Sequence, residues 1–197
     1  MEIEIREQSV ESLARYVDIT IAFEVSRILE ITVQQGGFGG FALAEVPVGT
    51  PYIKEYDGLE CPADWALRFD LSNWGFFGAW LDGRRVAGAV VARKTPAVFL
   101  LEGRDDLAVL WDIRVAPEAR RLGVGSSLFR AVAAWAAAHG CVHLKVETQN
   151  INVPACRFYA RQGCELGAIN RFAYPALPEE VQLLWYKGLG GRHEITG

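Results

Sequence analysis

Arg120, Arg121, Gly123 and Gly125 lie close together between an apolar run and an amphipathic one, a spacing suited to holding an anion. Two guanidiniums supply charge-assisted hydrogen bonds, and glycines let the backbone approach a phosphate closely. Leu107 to Val115 reads as an apolar strand that Pro117 ends, and the helix that follows opens with amides lacking intrahelical partners. Two better-known phosphate loops are excluded. A Walker loop needs Gly-Lys-Ser/Thr, whereas Gly125 is followed here by Ser126 and Ser127. The dinucleotide fingerprint G-x-G-x-x-G needs a third small residue where this chain has Leu128, and the strand after the helix carries no acid suited to a ribose.

Other reactive residue types form no constellation. Cys61, Cys141, Cys156 and Cys164 show neither a C-x-x-C pair nor histidines at metal spacing, so neither a metal nor a disulfide framework is expected, and they read as buried thiols. Cys156 lacks a basic neighbour that would activate it. His139 at a helix end reads as a dipole contact, His143 sits in a strand and His193 in the tail, so no triad is in view.

The Val-Ala-Pro lead-in, Arg120-x-x-Gly123-x-Gly125 between strand and helix, and a second element near residue 150 together resemble the acyl-CoA pyrophosphate loop of the GNAT superfamily of N-acetyltransferases. That resemblance implies an α/β fold with a mixed central sheet, two splayed parallel strands in it, and helices on both faces. It implies acetyl-CoA as cosubstrate and no metal. Backbone amides of Ile113, Arg114 and Val115 would hold the pantetheine, one of them serving as oxyanion donor. Arg120, Arg121, Leu122, Gly123, Val124, Gly125 and Ser126 would hold the pyrophosphate. By the same resemblance Asn152 would hydrogen-bond the pantetheine arm, though an asparagine just before a helix is equally a cap. Tyr159, in NVPACRFYARQG, is similar to the tyrosine those enzymes place near the CoA sulfur as general acid; taken alone it is a half-buried aromatic.

Acyl transfer from a thioester to an amine needs a neutral amine, a stabilised oxyanion and a proton for the departing thiolate. A lysine-like amine of pKa about 10.4 is under roughly one part in a thousand neutral at pH 7, so a nearby carboxylate can contribute. Asp112, on the strand entering the loop, and Glu147, near the end of the parallel strand, are the two acids so placed. Each is also open to a structural salt bridge, and which one is the base, or whether a water relays the proton, stays open.

A narrower resemblance lies in VETQNINVPACRFYARQG at 146–163, LAEVPVGTPYIKEYD at 43–57, WDIRVAPEARRLGVGSSLF and LLWYKGL. These are similar to streptothricin acetyltransferases, antibiotic-resistance enzymes that acetylate the β-lysine part of streptothricin, and the likeness runs from about residue 40 onward. It implies a primary amine of a small cationic molecule as acceptor. Those enzymes commonly carry a dense acidic tract before the central hairpin, whereas this chain has CPADWALRFDLSNW, with only Asp64 and Asp70. Glu45, Glu55, Asp57 and Glu60 remain as acids that either meet the substrate or are simply solvated. Trp65 and Trp74, in a loop-rich stretch, are placed to line a cleft for a cation, while Trp111, Trp135 and Trp185 read as core. Fold and family do not fix the substrate, so a peptide N-terminus or lysine as acceptor, and a non-catalytic CoA-binding sensor, stand as alternatives.

These residues must be positioned by a chain of 197 residues, 51% hydrophobic and 22% charged, which suits one globular domain. About 1–70 reads as an elaborated substrate-side part and about 71–188 as the acetyl-CoA-binding core. No apolar run reaches membrane-spanning length and MEIEIREQ lacks a secretory pattern, so no membrane partner and a cytoplasmic location are expected. A net charge of -4 argues against nucleic acid and suits a cationic substrate. Pairing into a homodimer is left open.

Ile3 and Ile5 suggest a first strand. Val10 to Ile31 shows helical spacing at Leu13, Val17 and Ile21, with Ser9 or Ser12 as cap. Two short extended pieces are expected near Phe38 to Val46 and Tyr52 to Tyr56. A hairpin follows over Gly75 to Leu81 and Arg84 to Lys94, turning at Asp82-Gly83. After the loop a helix runs to about His139 and Cys141 to Thr148 forms a strand, reached by a right-handed crossover and so parallel to the one before the loop. A helix from Pro154 to before Gly163, strands at 164–172 and 181–187, and a frayed tail GGRHEITG complete the chain.

Overall fold

The structure, a computed structural model, describes residues 2–190. Nine strands form: β1 (Ile3–Gln8), β2 (Phe23–Val33), β3 (Phe41–Lys54), β4 (Gly75–Leu81), β5 (Arg84–Ala92), β6 (Leu107–Val115), β7 (His143–Gln149), β8 (Glu165–Asn170) and β9 (Gln182–Gly188). The α-helices are α1 (Trp65–Arg68), α2 (Val124–Ala138) and α3 (Val153–Arg161), with a 3₁₀ helix over Val10–Asp18. The chain packs as two bodies, one of residues 2–21, 56–146 and 186–190, the other of 22–55 and 147–185. β1 pairs with β4 and lies in the first body, whereas β2 and β3 lie in the second.

In the first body the strands run in the order β1-β4-β5-β6-β7. β1, β4, β5 and β6 pair antiparallel, and β6 pairs parallel with β7 from Leu107↔His143 to Leu110↔Val146. The β4–β5 turn has Asp82 at φ 49 and Gly83 at φ 81, as a tight Asp-Gly hairpin requires. One face carries α2, whose Leu128, Phe129, Val132 and Ala136 are buried, with the Trp135 ring edge-on to Phe77 at 6.4 Å. The other face packs Leu13, Tyr16, Trp65, Trp74, Phe76, Val90, Leu107 and Val109 into one cluster. Burying each large apolar side chain contributes roughly 1.5–3 kcal/mol. A Cβ at Gly88 would stand 2.5 Å from the Tyr16 ring, so the sheet is bare of side chain where that tyrosine crosses it.

In the second body β2 and β3 form an antiparallel ribbon from Phe23↔Lys54 to Val33↔Phe41, with an irregularity between Val25 and Arg27. The end of β7, then β9 and β8, are neighbours in that order, and α3 packs on β2 and β8.

Two expectations are corrected. The helix over Val10 to Ile31 ends at Asp18; it buries Leu13 and Tyr16, with Ile19 just past its end buried at the same spacing of three, while Val17 is exposed. That is the 3₁₀ period, and the segment EVSRILEITV beyond it is a strand. The two extended pieces are one strand, β3, which runs through Pro47 and Pro51. A two-stranded ribbon consists of edges, where proline's missing N–H is tolerated. All four cysteines are free, Cys61 being half-buried and the others buried. No helix among the described residues is long and apolar enough to cross a membrane. The tail and His193 lie outside the described residues, apart from Gly190.

Candidate active site

The anion loop grows directly out of β6. Pro117–Ala119 makes one 3₁₀ turn, and Arg120 Nε donates to the Val115 carbonyl at 3.1 Å, folding the exit of the strand on itself. Arg121 at φ 64 and Gly123 at φ 84 are both left-handed, and Gly123 is the N-cap of α2. Arg120, Arg121 and Leu122 are exposed, whereas Val124 is fully buried and anchors the first turn that Gly125 and Ser126 continue. A helix of fifteen residues, a glycine at its mouth and two solvent-facing arginines fit the pyrophosphate of acetyl-CoA.

Beneath this loop β6 carries a buried charge network. Tyr16 Oη donates to Asp112 Oδ1 at 2.8 Å. Arg114 donates to Asp112 through Nε at 3.0 Å and Nη2 at 2.6 Å, to both Asp57 oxygens at 3.0 Å, and to the Ile19 carbonyl at 3.1 Å. Burial alone would lower the Arg114 pKa, but hydrogen bonds and charge from Asp112, with Asp57 beyond, outweigh it and hold the guanidinium firmly protonated. Burial, then the charge of Asp112, push the Tyr16 phenol well above its ordinary range. Arg114, expected to act through its backbone, thus also has a structural side chain. Ile113 and Val115 on either side of it are half-buried, paired with Ala89 and Ala87 of β5.

Glu147, at the end of β7, is differently held. Tyr174 Oη donates to its Oε1 at 2.5 Å and Gln182 Nε2 to its Oε2 at 2.8 Å. Gln149 Nε2 in turn donates to Tyr174 Oη at 3.1 Å. Burial, then the Glu147 charge, raise the Tyr174 phenol above its ordinary value, so it serves as a donor. Tyr174 and Gln182 had no sequence signal, since a tyrosine in a proline-punctuated connection announces no partner.

On α3, Asn152 is the cap its position suggested, with Oδ1 accepting from the Ala155 amide at 3.1 Å. Tyr159 is 5% exposed and its ring meets Phe158 edge-on at 5.1 Å. Among the residues expected on the substrate side, Glu45 accepts from Arg27 Nε at 2.5 Å and from Arg157, while Asp57 belongs to the Arg114 network. Trp74, expected at a cleft, is 6% exposed and stacks among Trp65, Phe69 and Trp111 with ring centroids 5.5–6.4 Å away, its Nε1 donating to Thr95. Loop-rich sequence hid an aromatic core there, and Trp65, at 2% exposure, belongs to it too. One edge of Trp74 still lines a cavity of about 220 Å³ with Glu7, Arg93, Trp135 and His139.

The sequence profile of the acetyltransferase (GNAT) family matches residues 47–164. Streptothricin acetyltransferase of Escherichia coli is 28% identical over 179 residues, covering 89% of this chain and 91% of that protein. The streptothricin acetyltransferase of Streptomyces lavendulae is 29% identical over 170 residues, covering 85% and 84%. Among solved structures, nourseothricin acetyltransferase superposes with a TM-score of 0.76 at 25% identity, over 96% of this chain and 99% of that one. A Bacillus anthracis protein described as a streptothricin acetyltransferase, solved in complex with acetyl coenzyme A, gives 0.75 at 25% identity over 95% and 99%. The mixed sheet, the strand-turn-helix from β6 to α2 and a family profile over more than half the chain agree, and the chain belongs to the acetyltransferase (GNAT) family, as an acetyl-CoA-dependent N-acetyltransferase.

Proposed function

We propose that the chain transfers the acetyl group of acetyl-CoA to a primary amine of a streptothricin-type antibiotic, its β-lysine amine, by direct attack in a ternary complex. The observation that carries this is the likeness, over 85% or more of the chain, to streptothricin acetyltransferases of two organisms.

Bound acetyl-CoA supplies an acyl group activated as a thioester, with a thiolate as leaving group. Arg120, Arg121 and the amides of Leu122 to Ser126 hold the pyrophosphate. Amides of Ile113 to Val115 hold the pantetheine, and one donates to the oxyanion. Asn152, capping α3 with Oδ1, offers its Nδ2 to the pantetheine arm. Glu147 accepts the proton that the amine sheds, directly or through a water, and Tyr159 gives a proton from its phenol to the departing sulfur. Between the two candidate acids the geometry favours Glu147, because both oxygens of Asp112 already accept from Arg114 and one also from Tyr16. Glu45 and Asp57 are paired with arginines, so either would serve a cationic acceptor only by sharing its charge.

The test is thiol release from acetyl-CoA with streptothricin, spermidine, free lysine and an aminoglycoside as acceptors. Rapid release with streptothricin alone is expected. No release with any of the four, by a protein whose melting temperature acetyl-CoA still raises, overturns this acceptor and directs the search to peptide amines.

A further inference from the structure

We propose that Tyr174 is the positioning residue of Glu147, acting with Gln182 to fix the direction in which that carboxylate presents its free lone pairs. The inference rests on Glu147 being the base, and it adds how the base is aimed. Glu147 and Gln149 stand two apart on β7 and so share one face of the strand. Gln182 opens the neighbouring strand β9. Tyr174 reaches this face from the connection between β8 and β9, whose backbone is itself pinned. Leu177 and Glu180 amides close successive turns on the Tyr174 and Leu177 carbonyls, at 3.0 and 2.9 Å. At its far end the Val181 amide donates to Asn150 Oδ1 at 2.8 Å, and Glu180, 6% exposed, accepts from Lys54 Nζ at 2.5 Å.

The direction of the hydrogen bonds matters. Gln149 Nε2 occupies a lone pair of the Tyr174 oxygen, so the phenol's own proton points at Glu147 Oε1. Gln182 takes Oε2. One donor per oxygen locks the plane of the carboxylate, and each oxygen keeps a second lone pair with which to receive a proton. A glutamate otherwise samples several rotamers, and catalysis by an oriented group is lost steeply with small misplacement. Tyr174 does not touch the reacting atoms in this role.

Tyr174→Phe, Glu147→Gln and the double variant separate the possibilities, assayed with acetyl-CoA and the panel amine that gives fastest thiol release. Tyr174→Phe is expected to lower kcat by about 10- to 100-fold while leaving the KM for acetyl-CoA and the melting temperature near wild type. The double variant should be no slower than Glu147→Gln alone, because the phenol acts only through that carboxylate. If Glu147→Gln is crippled while Tyr174→Phe turns over like wild type, or if the two losses multiply, positioning by Tyr174 is wrong and the base assignment stands. Wild-type turnover by Glu147→Gln sinks both. Should Tyr174→Phe fold poorly, Gln182→Met removes the other donor and must show the same split, a kcat loss without a change in acetyl-CoA KM.

Discussion

Arg114 has five N–H donors and spends them on two carboxylates and a carbonyl, its guanidinium lying 4.7 Å from the centre of the Tyr16 ring. A buried cation so placed is costly to strand. Asp112→Ala is expected to lose about 3–5 kcal/mol in urea unfolding at neutral pH, since it leaves the arginine with half its counter-charge. Tyr16 links the network to pH. Its folded-state pKa is raised above the ordinary 10.0, so the stability it contributes is complete below that value and is lost as pH climbs beyond it. Unfolding free energies measured from about pH 9 to about pH 11 should fall steeply in the wild type and less steeply in Tyr16→Phe. These pairings explain what sequence could and could not tell. The turn that carries the loop arginines and glycines was legible because its signals are local, and the place of Glu147 in β7 because that strand alternates. The partners of Glu45, Asp57 and Glu147 were not, since Arg157, Arg114 and Tyr174 reach them from distant stretches, and charge alone does not say which pairs meet.

At the scale of elements, Gly123 does two jobs, ending the β6 exit in a left-handed conformation and opening α2. An alanine there adopts that conformation at a cost of about 1–2 kcal/mol, or shifts the loop to avoid it. Gly123→Ala should therefore fold but show a much smaller acetyl-CoA-induced rise in melting temperature than wild type. The hairpin, β6, α2 and β7 were readable because apolar runs there are bounded by Asp-Gly, proline and glycine. Val10 to Val33 was not, because over nine residues a period of three and one of 3.6 nearly coincide, and tertiary contacts of Tyr16 with Gly88 and Asp112 turn it inward rather than Val17. In β3 the prolines suggested breaks, but a ribbon edge does not need their amides.

Over the whole molecule the net charge is only -4, and Glu45 and Asp57, the acids proposed to face the substrate, are matched by arginines. Long-range attraction for a cationic acceptor is therefore weak. The acceptor KM should change less than about threefold between roughly 0.05 and 0.3 M salt, where an unscreened acidic tract would give a strong dependence. The division into two bodies was not legible, because it depends on β1 returning to β4 and on β7 and β9 each contributing to both.

The lysines carry a last consequence. An enzyme that binds a thioester and attacks it with amines is exposed to its own reagent, yet this chain holds four lysines against sixteen arginines. Lys145 is fully buried, its ammonium donating to the Leu100 carbonyl and to Glu102, and Lys54 is tied to Glu180. Guanidinium groups stay protonated and do not compete as nucleophiles. Prolonged incubation with acetyl-CoA, followed by peptide mass spectrometry, should mark Lys94, whose side chain is 42% exposed, and spare Lys145. The choice of arginine for nearly every cation would then amount to chemical self-protection.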